Sequence, residues 1–280
     1  MLFDLQSPRR RRVIRVTFGA LAAVFAISFV FLGVGSGGGG FSVGDIFGTG
    51  GGDSGASAFE DDINAAQQRV AANPNDTAAL AQLITLHYQA GNSEVDSEGN
   101  LSSDGAQQMR ESADAWNKYL KAINGEPQRG PTLIAIQALS VLAQVDFTDA
   151  SQASSGAEQL QTLRVVQADL NGVAGAYLNL AQQQPTFSSY ANAAQYFFLA
   201  GKDQEAQAAI AQAQGLAKGN QGNNLAMQLK PAQNQGATFA QAIEQLTKQQ
   251  QKGASAGGGN PLGGLSGGGG GLGGVGTGGL

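Results

Sequence analysis

The chain contains no cysteine and only one histidine, His87, among its 280 residues. Without cysteine it can form no disulfide, use no thiol in catalysis and carry no acylated lipoprotein cysteine. A zinc site needs several His or Cys ligands, and a Ser-His-Asp triad would depend wholly on His87. We therefore expect no enzyme activity and no cofactor, and we expect His87 to occupy a buried or half-buried position in a helical core.

Basic residues are few and unevenly placed. Five of the 16 Lys and Arg residues lie at positions 9–15, whereas the 21 Asp and Glu residues are distributed along the chain. The part beyond residue 15 is therefore acidic. Because nucleic acid is bound by basic patches, we expect no nucleic-acid partner for this part of the chain.

Four arginines at positions 9–12 lead into an apolar run, residues 16–34, that carries no charge. At 1.5 Å per residue this run is about 28 Å long as a helix, close to the hydrocarbon thickness of a bilayer. Flanking arginines hold their side of a membrane helix in the cytoplasm. We predict a cytoplasmic basic segment at 1–12 and a single-pass anchor at 13–35 in a bacterial cytoplasmic membrane, with the rest extracytoplasmic. A cleaved signal peptide is the alternative, although signal h-regions usually have about 7–15 residues.

Glycine accounts for 42 residues and is concentrated at 33–55 and 253–280. We predict a Gly-rich linker at 36–58 and a disordered tail at 253–280, since such sequence buries too little apolar surface to offset the cost of ordering. Residues 33–38 match the G-x-G-x-x-G dinucleotide pattern. That pattern works only between a strand and a helix, so we interpret the match as part of the linker.

The middle of the chain, residues 59–252, is rich in Ala, Gln and Leu and has the pattern of an all-α domain. Ile63, Ala66 and Val70 repeat at helical spacing, and residues 73–76 form a break that caps the next helix. Prolines at 127 and 131 mark another break. Residues 131–184 have helical composition with a blurred pattern, for which we expect a degenerate repeat and an additional helix.

Two stretches of this domain resemble the tetratricopeptide (TPR) repeat, a pair of antiparallel helices. Residues 187–217 carry the family's spacing of small and aromatic residues at Tyr190, Ala193, Ala194, Phe197, Gly201, Ala206, Ile210 and Ala213. A second match is divided by an insertion centred on residues 93–105, with Leu80, Leu83, Ile84, His87, Ala90 and Gly91 in helix A and Ala115, Tyr119, Ala122 and Pro127 in helix B. The resemblance implies a TPR-like solenoid of helix pairs behind the membrane anchor.

The same resemblance implies a surface for binding protein or peptide partners, lined mainly by A helices. Its exposed positions would be neutral, hydrogen-bonding side chains: Gln82, Thr85, Gln89, Ser189, Asn192 and Gln195. The basic clamps that some TPR proteins use for acidic C-termini are missing, so this form of recognition is not expected.

The predicted function is a membrane-tethered, extracytoplasmic interaction module, an adaptor or a chaperone-associated scaffold. Its layout resembles that of the ancillary TPR proteins of the bacterial Sec translocon. One alternative is a structural component of the cell envelope that assembles through its repeats and Gly-rich tail, and homo-oligomers remain open. A minor alternative is a small-ligand or calcium binder, because residues 94–100 place oxygen ligands at alternate positions before Gly99, although Gly105 stands where an EF-hand has its bidentate Glu.

Overall fold

The computed structural model describes residues 56–96, 99–219 and 221–256. A short 3-10 helix, Ala56–Phe59, precedes the first of eight α-helices, and the only β-type pairing in these residues is an isolated bridge between Val95 and Leu101. The all-α prediction is confirmed for this part of the chain. The helices are α1 (Glu60–Ala72), α2 (Thr77–Asn92), α3 (Ser103–Ala122), α4 (Arg129–Gln152), α5 (Gly156–Gln183), α6 (Phe187–Leu199), α7 (Asp203–Leu216) and α8 (Gln221–Ala256).

Each helix packs mainly on its neighbours in the sequence. The most extensive contacts join α4 to α5, α2 to α3 and α6 to α7, and further contacts join α3 to α4 and α5 to α6. The last helix departs from this order, because α8 packs on α5, α6 and α7 together. The stack is therefore built largely from contacts between elements close in sequence.

The breaks between helices follow the local signals in the sequence. Asp76 accepts a hydrogen bond from the backbone N–H of Ala79 at 2.9 Å, so residues 73–76 end one helix and cap the next, as predicted. Gly201 ends α6 with a φ of +73°, a conformation that a residue with a Cβ adopts only with strain. The backbone N–H groups of Gly201 and Lys202 then bond to the carbonyls of Phe198 and Phe197, which satisfies the end of the helix.

Residues 131–184 lie in two long helices, α4 and α5, and not in the three that a degenerate repeat with an additional helix would require. The pattern is blurred because α4 is buried around much of its circumference, so apolar residues follow one another with little polar interruption. Half of its 24 residues are buried, including consecutive Ile134, Ala135 and Ile136. The expectation of an additional helix in this stretch was wrong, because uninterrupted burial lets α4 and α5 each continue as one long helix.

By length and apolar composition, α4 is the one helix in the described ranges that could cross a membrane. Its most apolar window is 61% buried against other helices, which is typical of a core helix in a globular domain. The predicted anchor at 13–35 lies outside the described residues. So do the basic segment at 1–12, the dinucleotide-like match at 33–38, the linker up to residue 55 and the tail from residue 257.

Two helix contacts depend on glycine. Where α2 meets α3, a Cβ on Gly105 would lie 2.6 Å from Leu101 Cδ1 and 2.8 Å from Glu94 Cβ. Where α8 meets α6, a Cβ on Gly236 would lie 1.6 Å from the carbonyl oxygen of Phe198. Real Cβ atoms do not approach this closely. At Gly236 the obstacle is the backbone of α6, so that packing distance requires glycine, whereas at Gly105 the obstacles are side-chain atoms of the connection between α2 and α3.

Candidate functional site: a groove between α3, α4 and α5

An open groove of about 700 Å³ lies among α3, α4 and α5. Both α3 and α5 pack on α4, and side chains from all three helices line it. Trp116, Leu139 and Leu142 supply apolar lining, whereas Asn117, Asn171, Asn179 and Gln182 are polar groups along its sides. The groove thus combines an apolar surface with hydrogen-bonding groups, as sites for ligands and peptides commonly do.

One end of the groove is acidic. Arg110 and Asp146 belong both to the groove and to a neighbouring hollow of about 540 Å³. That hollow adds the carboxylates of Asp149 and Glu158 and shares exposed Val165 with the groove. The guanidinium of Arg110 donates a 2.6 Å hydrogen bond to Asp146, whose side chain is 6% exposed while that of Arg110 is 41% exposed. Arg110 thereby pairs with a carboxylate that would otherwise be buried without a counter-charge.

A second carboxyl, Asp169 on α5, faces this ion pair. Burial, the negative charge of Asp146 and a hydrogen bond with Asp146 raise the pKa of Asp169 to about 8, although Arg110 acts in the opposite direction. Its Oδ2 atom is buried and has no donor within hydrogen-bonding distance. The two observations agree if Asp169 is protonated, because a carboxyl O–H can donate to Asp146 whereas two carboxylates cannot bond to each other.

The raised pKa of Asp169 also sets the sign of a pH effect on folding. The folded-state pKa of Asp169 lies above the ordinary aspartate value of 3.8, so folding favours the protonated form. The stability that this group contributes is complete below about pH 4 and is lost as the pH rises through about 8. Alkaline pH is therefore expected to weaken the contact between α4 and α5 at this point.

The partner-binding positions predicted on α2 are exposed or half-buried. Gln82 is exposed and accepts a long hydrogen bond of 3.4 Å from Arg69. Thr85 is half-buried and donates to the carbonyl of Ala81 at 3.2 Å, and Gln89 is also half-buried. None of the three lines the groove among α3, α4 and α5, so their role in binding stays a prediction.

The three positions predicted on α6 differ from the expectation of exposure. Ser189 is 7% exposed and its hydroxyl lies 2.7 Å from that of Thr186, the residue that caps α6. Gln195 is 5% exposed, and half-buried Asn192 hydrogen-bonds with Tyr177 of α5. The prediction of an exposed face was wrong for Ser189 and Gln195, because α6 packs against α5, α7 and α8 and keeps little open surface.

The single His and the single Trp of the chain are both buried, as expected from the sequence for His87. His87 is 5% exposed, and its Nδ1 atom is 2.7 Å from the side-chain oxygen of Gln108, so it joins α2 to α3 within the core. Trp116 is 2% exposed, stacks on Tyr119 with ring centroids 5.7 Å apart and also lines the groove. Because the chain has one Trp, its fluorescence can report on this groove.

The acidic insertion between α2 and α3 forms a hydrogen-bonded turn. The carboxylate of Asp96 accepts from the backbone N–H of Asn100 at 2.8 Å and from its side-chain amide at 3.1 Å. Gly99 has a φ of +84°, which the turn requires. Ser97 and Glu98 lie outside the described residues, and no group of three or more His, Asp or Glu side chains within the described ranges could hold a metal ion.

The groove and its Asp146–Asp169 pair were not predicted from the sequence. One signal was available, because Asp146 stands between Leu142 and Phe147 in the one described helix that is long and apolar enough to cross a membrane, where a charge requires a partner. The partner could not be identified from spacing, since Arg110 lies 36 residues away on another helix. In comparisons with known proteins, the chain matches no family model, no curated protein and no solved structure.

Proposed function

We propose that the chain is a membrane-tethered, extracytoplasmic module for protein–protein interaction. The main support is the open groove among α3, α4 and α5, which offers apolar surface and amide side chains to a partner. The proposal of a TPR-like solenoid is supported by helix pairs packed in sequence order, with buried Ala193, Ala194 and Phe197 between α6 and its neighbours. The tether is inferred from residues 13–35 of the sequence.

The proposed binding surface differs from that of a TPR protein that uses its A helices. The resemblance assigns α2 and α6 to the A class and α3 to the B class, and α3 forms one wall of the groove. On α6 the corresponding A positions are occupied by internal packing. We therefore assign partner binding first to the groove and second to the open positions on α2.

The test is in-cell photo-crosslinking from the full chain with three single probes. One probe replaces Gln182 at the rim of the groove, the second replaces Gln82 on α2, and a control replaces exposed Gln207 on α7. A protein recovered from Gln182 and not from Gln207 would support the groove as an interaction site. Recovery of a protein from Gln82 alone would assign the site to α2. Recovery of the same proteins in equal amounts from all three positions would contradict the proposal of a specific interaction site.

A further inference from the structure

The groove among α3, α4 and α5 has a filled counterpart in the same chain. The helix α8 packs on the three consecutive helices α5, α6 and α7, and the groove likewise lies on the three consecutive helices α3, α4 and α5. In the filled case a helix approaches so closely that Gly236 contacts the backbone of Phe198. This stack thus already uses a helix to cover three of its members.

The size of the open groove suits a helix. Its lining residues on α5 run from Val165 to Gln182, which spans about 26 Å at 1.5 Å per residue. A partner helix of about 18 residues would cover that distance. Apolar residues on one face of such a helix would contact half-buried Leu120 and Leu178 and exposed Val165, and its polar flanks would meet the amide side chains.

The charges along the groove and the adjoining hollow favour a partner with positively charged side chains. Arg110, which is already paired with Asp146, is the one basic side chain among the residues that line the groove and the hollow. The lining also includes five carboxyl residues: Asp114, Asp146, Asp149, Glu158 and Asp169. Asp114, Asp149 and Glu158 are exposed, so an incoming cation can reach them. Complementary charge of this kind increases the rate of association and discriminates between partners.

We propose that the groove among α3, α4 and α5 binds a partner protein through an amphipathic helix that is apolar on one face and carries Lys or Arg beside it. The inference rests on the proposed interaction function and adds the chemical class of the partner. The cationic side chains meet Asp114, Asp149 and Glu158, while the apolar face covers the accessible apolar lining at Leu120, Val165 and Leu178.

The probes for the test are three synthetic helical peptides of about 18 residues, matched to the groove length. All three have the same Leu/Ala face, and the positions beside it are Lys, Gln or Glu. None contains Trp, so the fluorescence of Trp116 in the full chain reports binding at the groove. The Lys peptide is expected to bind about tenfold or more tightly than the Gln peptide at low salt and to lose this advantage as salt is raised.

The variant Asp114→Lys/Asp149→Lys reverses two exposed charges at the site, and Asp61→Lys/Glu205→Lys reverses two exposed charges on α1 and α7 as the control. The first variant is expected to prefer the Glu peptide, and the control is expected to keep the preference for Lys. Equal binding of the Lys and Gln peptides would overturn the inference and leave the interaction function standing. If no peptide changes the fluorescence, the inference is overturned, whereas the proposed function is judged separately by crosslinking at Gln182.

Two other occupants would be recognised by the same measurements. Self-association of the full chain that Asp114→Lys/Asp149→Lys abolishes would assign the groove to a second copy of the chain. Binding of the Lys peptide only after removal of residues 257–280 would assign the groove to the tail. Either result would overturn the proposal of a separate partner protein.

Discussion

Replacing Gly236 with Ala is expected to detach α8 from the helical stack. The added Cβ would lie 1.6 Å from the carbonyl oxygen of Phe198, 2.7 Å from its carbonyl carbon and 3.3 Å from the Cα of Leu199. All three atoms belong to the backbone of α6, so no rotation of a side chain can make room. Because non-bonded heavy atoms make their best contact at about 3.5 Å, the two helices must separate by roughly 2 Å.

The expected cost follows from two opposing effects. Overpacking of a close contact costs about 1–3 kcal/mol and sometimes more, and here the obstacle is rigid backbone. Alanine in a helix interior is about 1 kcal/mol better than glycine, which offsets part of this cost. The net loss should be about 2 kcal/mol or more, and it should fall mainly on α8, because neighbouring elements in a stack of this kind can open locally.

Amide hydrogen exchange of the full chain measures this effect helix by helix. In Gly236→Ala, the amides of α8 should lose protection while those of α2 and α3 keep theirs, and limited proteolysis should cut near the junction of α7 and α8. The control is Gly175→Ala in the middle of α5, where an added Cβ meets nothing within 4 Å. It should stabilise α5 by about 0.5–1 kcal/mol through helix propensity. Equal or greater protection of α8 in Gly236→Ala would refute the close contact.

Three further predictions concern α3, α5 and a helix cap. The amide that Asp169→Asn introduces can donate to Asp146 at every pH, so this variant should not lose unfolding free energy between about pH 4 and pH 8 as the parent chain does. Urea titrations across this range measure the loss, and an unchanged pH profile in the variant would contradict a protonated Asp169. Gly105→Ala should lower the free energy of unfolding by about 1–3 kcal/mol, and with it the urea midpoint. Gly130→Ala is the control, because its added Cβ meets no atom within 4 Å, and its midpoint should not fall. Asp76→Ala should lower the urea midpoint through loss of the helix cap and its ion pair, and a midpoint equal to that of the parent chain would show the cap to be dispensable.

Local signals in the sequence predicted the helices and their ends well. The break and cap at residues 73–76 depend on residues close in the sequence, and the structure confirms them, as it confirms the buried position expected for His87. The exposed face assigned to α6 failed because exposure depends on which elements cover a helix. Gln195 is buried although its residue type favours the surface, and no pattern within α6 indicates that α8 packs there.

The groove illustrates the same division between local and long-range information. Its walls come from α3 and α5, which do not adjoin in sequence, so its existence depends on how far α4 holds them apart. The ion pair of Arg110 with Asp146 connects two of these helices, and burial together with the charge of Asp146 raises the pKa of Asp169 on the third. The charge of Asp146 in apolar α4 therefore indicated a contact with another helix, and it was the signal in the sequence that pointed to this part of the structure. Asp114, Asp149 and Glu158 are ordinary exposed carboxylates when each is considered alone, but the packing of α3, α4 and α5 brings them to one surface. The Lys, Gln and Glu peptides are designed to measure the charge preference of that surface.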